Sequence, residues 1–205
     1  FVCYNWNRIY DFCFIATENQ KTKNHHLFID FIEYLEKNNI AKSIIYIGNI
    51  NEIDHKRDVL DNLHYVKFES IAKCNYQKII EVYNLSAVNL IFSGRDACPR
   101  VIAESISCGC FNIALDTLSE GESIFDGESG LLIGDPNVEK ILTGYSLSYI
   151  NSDTLWIKIL DHIPNEIDHN NISVNFIKRH RPDELIAKIS DLILNIDTFD
   201  YRRLF

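Results

Sequence analysis

The chain has 205 residues, of which 29 are acidic and 20 are basic, so its formal net charge is −9. That length is enough for one domain with a proper core, and the acidic excess argues against nucleic acid as the main partner. Hydrophobic residues make up 46% of the chain, which argues against disorder, and no apolar run approaches the roughly 20 residues that a membrane helix needs.

The start of the chain and its cysteines bear on how it is organised. The chain begins at Phe1 rather than Met, and residues 1–8 follow no period, so we expect them to be a connection from a missing N-terminal part. The six cysteines lie mostly inside apolar segments and form no C-x-x-C pair, which favours buried, reduced thiols in a cytosolic protein. Cys108 and Cys110 resemble half of a metal site, but no matching pair lies elsewhere in the sequence, so a metal site is disfavoured.

The first two thirds of the chain alternate between apolar strands and amphipathic helices. Ile9–Thr17 is apolar enough for a strand that is buried on both faces. A helix is predicted from Asn24 to about Lys37, because its apolar residues recur at the helical period. The adjacent His25 and His26 would point about 100° apart on that helix, so we expect surface histidines rather than joint ligands. Further strands are predicted at Ser43–Ile47, His64–Phe68, Val88–Ser93 and Phe111–Leu115, further helices at Tyr76–Leu85 and from Pro99 to Gly109, and partial helix in residues 50–63.

The last third of the chain has a helical pattern. Helices are predicted at Val138–Tyr149, Leu155–Ile163 and Glu166–Arg179, and a last one begins at Pro182. Strands separated by helices predict an α/β fold: a doubly wound parallel sheet in residues 9–150, with the C-terminal helices of residues 151–205 packed on it.

Several polar loops follow the predicted strands directly. In doubly wound sheets, ligands bind at the carboxyl ends of the strands. Glu18–Lys23, Glu69–Ile71 and Asp96 all lie at such ends. We therefore expect these loops to share one site.

The stretch from Val88 to Ile133 carries the candidate chemistry. A strand leads through a short loop into a helix with Pro99 in its first turn, and the free N–H groups at such a helix start bind anions. Two acids, Asp96 and Glu104, flank this anion site. Because a carboxylate repels phosphate, the hydroxyl groups of a ribose or a sugar are the obvious ligands for these acids.

The same stretch resembles a known family. Asp96, seven residues, and Glu104 followed by Ser105–Gly109 are similar to the E-x7-E signature of family 4-like glycosyltransferases, which have the GT-B fold. Downstream residues keep the family's order, although Leu118-Ser119 stands where the family usually has two glycines. These downstream matches are Asp116, Glu122, Asp126-Gly127 and Gly130-Leu131-Leu132.

The resemblance implies roles for the two acids. Glu104 would accept hydrogen bonds from the two ribose hydroxyls, and the alternative is an ordinary exposed helix acid. Asp96 would be the catalytic residue: it would hold hydroxyls of the donor sugar and stabilise positive charge that develops at the anomeric carbon. Its alternative is a loop aspartate that satisfies turn or cap N–H groups ahead of Pro99.

The resemblance also implies how the rest of a nucleotide-sugar would be held. Backbone N–H groups around Ala97, Cys98 and Arg100 would take the diphosphate. Ser70 and Ile71 resemble the place where backbone atoms meet the base.

In the family, a lysine neutralises the leaving diphosphate, and Lys23-Asn24 looks like that element with Asn for the usual Gly. The family's arginine about six positions earlier is replaced here by Thr17. Either Lys21 or Arg95 substitutes for it, or donor binding is weak. For Lys21 and Lys23 alike, the alternative is a solvated loop.

As a whole, the resemblance implies the donor-binding, Rossmann-like half of a GT-B enzyme. This half would take a sugar from a UDP- or GDP-sugar and transfer it with retention of configuration, without a metal or other cofactor. A missing N-terminal domain would bring the glycan, lipid or protein acceptor, and the location would be cytoplasmic or peripheral at a membrane. Two alternatives stay open: a degenerate nucleotide-sugar-binding or scaffold module, and a sugar-nucleotide epimerase. The sequence holds no D-x-D, no G-x-G-x-x-G after a strand and no G-x-x-x-x-G-K-[ST], which disfavours other nucleotide-binding classes.

Overall fold

The computed structural model has an α/β fold. It describes residues 3–4, 6–16, 21–49, 53, 56–72, 74–93, 100–115, 127–134, 140–143, 146–149 and 152–179. Along the chain its elements are β1 (Tyr10–Ala16), a 3-10 turn (Lys21–Lys23), α1 (His25–Lys37), β2 (Lys42–Gly48), α2 (Arg57–Leu60), β3 (Val66–Ile71), α3 (Tyr76–Leu85), β4 (Ser86–Ile91), α4 (Arg100–Ser107), β5 (Phe111–Leu115), β6 (Gly130–Ile133), β7 (Lys140–Thr143), β8 (Ser146–Tyr149), α5 (Asp153–Asp161) and α6 (His169–Arg179).

One parallel sheet organises the fold. Its six strands lie in the order β3-β2-β1-β4-β5-β6, and every neighbouring pair is parallel. The predicted doubly wound parallel sheet is therefore confirmed. This strand order reverses direction between β1 and β4, which is the topological switch point of a Rossmann-like sheet.

The two faces of the sheet pack into separate apolar clusters. Phe12 and Phe14 of β1 join a large cluster with α1 and α5, whereas Cys13 and Ile15 join a smaller one with α3. Such alternation of a strand that is buried on both faces is what a central parallel strand requires. Trp156 of α5 is fully buried, and its ring lies 5.5 Å from that of Phe31 and 5.8 Å from that of Phe92. The helix α5 is thus part of the main core.

Most predicted elements are present with small shifts of their ends. The structure matches the prediction at both ends for Tyr76–Leu85 and Phe111–Leu115. The helix starts at Tyr76 because Asn75 caps it: the Asn75 side chain accepts a hydrogen bond from Lys78 N at 3.0 Å. The strand predicted at His64 begins at Val66, and the helix predicted from Glu166 begins at His169. The helix predicted from Pro182 lies outside the described residues. None of the described helices combines the length and the apolar character needed to cross a membrane.

The helix predicted over Val138–Tyr149 is wrong. The antiparallel strands β7 and β8 occupy this region, with Thr143 paired to Ser146, so two residues separate the strands. Gly144 is one of these two residues. Two apolar runs separated by two residues that include glycine are typical of a hairpin, and the prediction of a helix did not take this signal into account. The leucines and isoleucines of this segment fit either period, so hydrophobicity alone did not decide between helix and hairpin.

Candidate functional site

The carboxyl ends of the strands lie together at one edge of the sheet. The register pairs Ala16 with Gly48, Ile47 with Ile71, and Ile91 with Ala114. The loops after β1 and β4 therefore flank the switch point, where ligands of such sheets bind. This edge is where the sequence predicted a shared site.

The loop after β1 is shaped around Asn24. Lys21 begins the 3-10 turn and the half-buried Lys23 ends it, so both lysines precede α1 at the switch point. Asn24 has φ 51° and ψ 51°, a left-handed conformation that glycine adopts most readily and asparagine next. That conformation is a physical reason for the match between Asn24 and the family's glycine. Strand β8 of the hairpin lies against this 3-10 turn.

The loop after β4 is described only at its ends. Ser93 is buried at one end, and Arg100 is exposed at the start of α4 at the other. Asp96, Ala97 and Cys98 lie outside the described residues, as do Thr17, Arg95, and the downstream motif acids Asp116, Glu122 and Asp126. Their roles stay predictions.

Glu104 lies in α4, one turn after Arg100, and is half-buried. Burial raises the pKa of its carboxyl above the ordinary value of 4.5, while the nearby Arg100 guanidinium lowers it in part. A partly desolvated carboxylate with a raised pKa is typical of functional sites as well as of structural ion pairs. Glu104 is thus half-buried, and its proposed role as a ligand for ribose hydroxyls stays a prediction.

A closed polar network fixes the helix that carries Glu104. Ser105 donates to Asn112 Oδ1 at 2.6 Å, Asn89 Nδ2 donates to the same oxygen at 2.9 Å, and all three side chains are at most 1% exposed. The three residues belong to α4, β5 and β4. Buried polar groups that are fully paired specify one arrangement of the elements that carry them. This role was not predicted from the sequence, although Asn89 and Asn112 stand out as amides inside apolar strands.

The predicted base-binding pair lies at the edge of the sheet. Ser70 is exposed and Ile71 is half-buried at the carboxyl end of β3. Strand β3 is two strands away from β1, which places it about 10 Å from the switch point. The predicted contact of Ser70 and Ile71 with a base stays a prediction.

Two further features of this edge were not predicted correctly. His25 was expected at the surface, but it is 6% exposed and packs edge-on against the rings of Phe14 and Tyr46 at 5.6 and 5.9 Å. The close packing at Gly48 was not predicted: a Cβ there would lie 2.5 Å from Ala16 O, so no larger residue fits beside β1. The His25 ring and the close approach of β1 to Gly48 thus leave the carboxyl ends of β1 and β2 tightly packed.

Within the described part of the chain, a cavity lies at the opposite end of the sheet from this site. No group of three or more His, Cys, Asp or Glu side chains is arranged to hold a metal ion within the described part of the chain. A cavity of about 520 Å³ is lined by the first residues of β1, β2 and β4, including Asp11 and Lys42. It therefore lies at the amino ends of the strands, opposite the edge where Rossmann-like sheets bind nucleotides.

Comparisons with known proteins agree with the fold. Residues 10–147 match the family model described as Glycosyl transferases group 1. None of the curated proteins matches the chain significantly.

Among solved structures, an S. aureus TarM mutant in complex with fondaparinux, alpha-GlcNAc-glycerol and UDP has 15% identity and a TM-score of 0.64; the match covers 93% of this chain and 36% of that one. Anabaena HepE in complex with UDP-glucose has 14% identity and a TM-score of 0.59, over 91% of this chain and 49% of that one. The catalytic domain of the Helicobacter pylori cholesterol-alpha-glucosyltransferase has 17% identity and a TM-score of 0.54, over 82% of this chain and 96% of that one.

At these identities the likeness concerns the fold alone. The chain spans only about a third to a half of the length of TarM and HepE.

Proposed function

Because this chain belongs to the group 1 glycosyl transferases, we propose that it is the donor-binding half of an enzyme that transfers a sugar from a nucleotide-diphosphate sugar. The observation that carries the proposal is the switch-point edge: the Lys21–Lys23 turn lies on one side of it, and α4 with the half-buried Glu104 lies on the other. Cations next to free helix N–H groups suit a diphosphate, and a carboxylate suits ribose hydroxyls.

The roles follow from what each group can do chemically. Glu104 accepts hydrogen bonds from the ribose hydroxyls, and Lys23, aided by Lys21, stabilises the diphosphate as it leaves. The N–H groups of Ala97, Cys98 and Arg100 bind the phosphates, Ser70 and Ile71 border the base, and Asp96 stabilises positive charge at the anomeric carbon.

We propose that the reaction needs no metal and retains the anomeric configuration, as in the family 4 glycosyltransferases that the chain resembles. A further part of the enzyme presents the glycan, lipid or protein acceptor.

Titration of the chain with UDP and with GDP tests the donor site. TarM and HepE are each known in complexes with UDP or UDP-glucose, which makes UDP the first choice. We expect saturable binding of one nucleotide, and Glu104→Ala should weaken it by roughly tenfold or more, because hydrogen bonds to a charged group contribute about 1.5–3 kcal/mol.

Glu81→Ala is the matched control, since Glu81 is a half-buried glutamate of the neighbouring helix α3. Equal loss in both variants, or wild-type binding of neither nucleotide at millimolar concentration, would contradict the proposal.

The replacement of the family's arginine by Thr17 favours one rival, a binding module without turnover. Product analysis with the full-length enzyme separates the two. Sugar transfer or donor hydrolysis that Asp96→Asn abolishes supports the transferase. Binding without turnover supports the module, and a changed sugar on intact nucleotide, made without acceptor, supports an epimerase.

A further inference from the structure

Asn24 joins the two loops that flank the switch point. Its Nδ2 donates to Phe92 O at 2.7 Å and to Thr22 O at 3.2 Å. Thr22 lies within the lysine turn, and Phe92 follows β4 directly, four residues before Asp96. The side chain is 1% exposed, so water does not replace these bonds. One amide thus ties the lysine loop to the start of the loop that carries Asp96.

This use of Asn24 is unusual for a residue at the start of a helix. An N-cap asparagine usually has an extended backbone, and its side chain accepts a hydrogen bond from the first turn. Asn24 instead has the left-handed backbone, and no N–H of α1 donates to its side chain. Its side chain is turned across the switch point rather than along the helix.

We propose that Asn24 is a positioning residue for the diphosphate: it holds the Lys23 loop at a fixed place relative to the loop after β4. The inference rests on the proposed function and adds a residue to it. Glycine at this position would keep the left-handed backbone but could not make the connection to Phe92. In this chain the asparagine therefore supplies both the backbone conformation and the link between the loops.

The test compares Asn24→Gly with Asn39→Gly. Asn39, just after α1, is the other non-glycine residue with positive φ among those described, at 57°, and its side chain is exposed. Both variants replace a left-handed asparagine with glycine, so the added flexibility of the unfolded chain is matched. Affinity is measured for whichever of UDP and GDP the wild type binds, and for its monophosphate.

We expect Asn24→Gly to weaken diphosphate binding by roughly three- to tenfold, about the effect of one lost hydrogen bond. Monophosphate binding should fall less, because the lysine loop faces the phosphates. Asn24→Asp, which keeps the size of the side chain but turns an oxygen toward Phe92 O, should show the same pattern. Asn39→Gly should bind both ligands as the wild type does.

The outcomes distinguish a failure of the positioning role of Asn24 from a failure of the proposed donor-binding function. Wild-type binding that Asn24→Gly leaves unchanged overturns the positioning role alone. An equal loss for diphosphate and monophosphate also overturns it, because that pattern indicates a general loss of structure. A wild type that binds neither diphosphate overturns the proposed function, and the positioning role with it.

Discussion

At the scale of single residues, Glu104 combines a proposed ligand role with an environment that disfavours its charge. Burial raises the pKa of its carboxyl above 4.5, and the Arg100 guanidinium offsets this only in part. A carboxyl with a raised folded pKa binds its proton more tightly in the folded state. Its contribution to stability therefore decreases as pH rises from 4.5 through the folded pKa, and the penalty is complete at neutral pH. A chain without a use for this carboxylate would be more stable with a neutral side chain.

Glu104→Gln separates the effect of the carboxylate on stability from its proposed role in nucleotide binding. At neutral pH we expect the midpoint of thermal unfolding to stay equal or rise, because the desolvated charge is gone, while nucleotide affinity decreases. Below pH 4.5 the difference in stability between variant and wild type should shrink. Thermal scans from pH 4 to pH 8, paired with titration at pH 7, measure both quantities. A variant that loses stability at neutral pH and keeps its affinity would indicate a purely structural glutamate.

At the scale of the elements, the buried network of Asn89, Ser105 and Asn112 decides how α4 sits on the sheet. Asn112→Ala removes one acceptor that serves two donors, and each buried group left without a partner costs about 1–3 kcal/mol. We expect a loss of about 2–5 kcal/mol in the free energy of unfolding, measured by urea denaturation. Asn38→Ala is the control, because Asn38 is exposed and its Nδ2 donates to Tyr34 O in the last turn of the preceding helix. Similar losses in the two variants would argue against the network.

A second contact between elements, from Glu36 of α1 to the start of β3, depends on pH. The Glu36 carboxylate of α1 accepts hydrogen bonds from the N–H groups of His64, Tyr65 and Val66, at 2.8, 2.9 and 3.1 Å, where the chain enters β3. Partial desolvation acts to raise its pKa, but these three bonds outweigh it and lower the pKa below 4.5.

A lowered folded pKa gives stability that is present above pH 4.5 and is lost as pH falls through the folded value. Glu36→Gln should therefore lower stability at pH 7 and flatten the stability profile between pH 5 and pH 3, which urea denaturation at each pH measures. A variant whose profile stays parallel to that of the wild type would contradict the role of the carboxylate.

The elements also indicate what the sequence could reveal and what it could not. Strand β1 and helix α1 were predictable because local periodicity and burial agree, and α3 begins where Asn75 caps it. The hairpin of β7 and β8 was missed because its apolar residues fit a helix as well as they fit two short strands. At the candidate site, the family resemblance led to Glu104 and Lys23, and their roles stay predictions. The bond from Asn24 to Phe92 O was invisible, because its acceptor is a main-chain atom 68 residues away, and a carbonyl has no sequence signature.

At the scale of the whole molecule, the segment that follows the hairpin completes the core. Leu155, Trp156 and Ile159 of α5 are fully buried, and the indole packs in tilted geometry against the rings of Phe31 in α1 and Phe92 at the switch point. The indole Nε1 finds no hydrogen-bond acceptor within the described part of the chain, so its contribution comes from packing. Truncation of such a ring typically costs about 3–5 kcal/mol. The Phe92 carbonyl also accepts the hydrogen bond from Asn24. Through its contact with the Phe92 ring, α5 therefore packs directly against a residue of the candidate site.

Trp156→Ala should therefore lower the free energy of unfolding by about 3–5 kcal/mol and weaken nucleotide binding with it. Trp6→Ala is the control, since Trp6 is 43% exposed and stacks on the exposed Tyr4. These are the two tryptophans of the chain, so Trp6→Phe leaves Trp156 as the sole tryptophan, whose fluorescence can be excited selectively. Its emission should be that of a buried indole and should shift to longer wavelength in the same urea transition as the loss of helical circular dichroism. An earlier fluorescence transition would mean that α5 detaches before the sheet unfolds, and the C-terminal helices would then be a separable layer rather than part of one cooperative core.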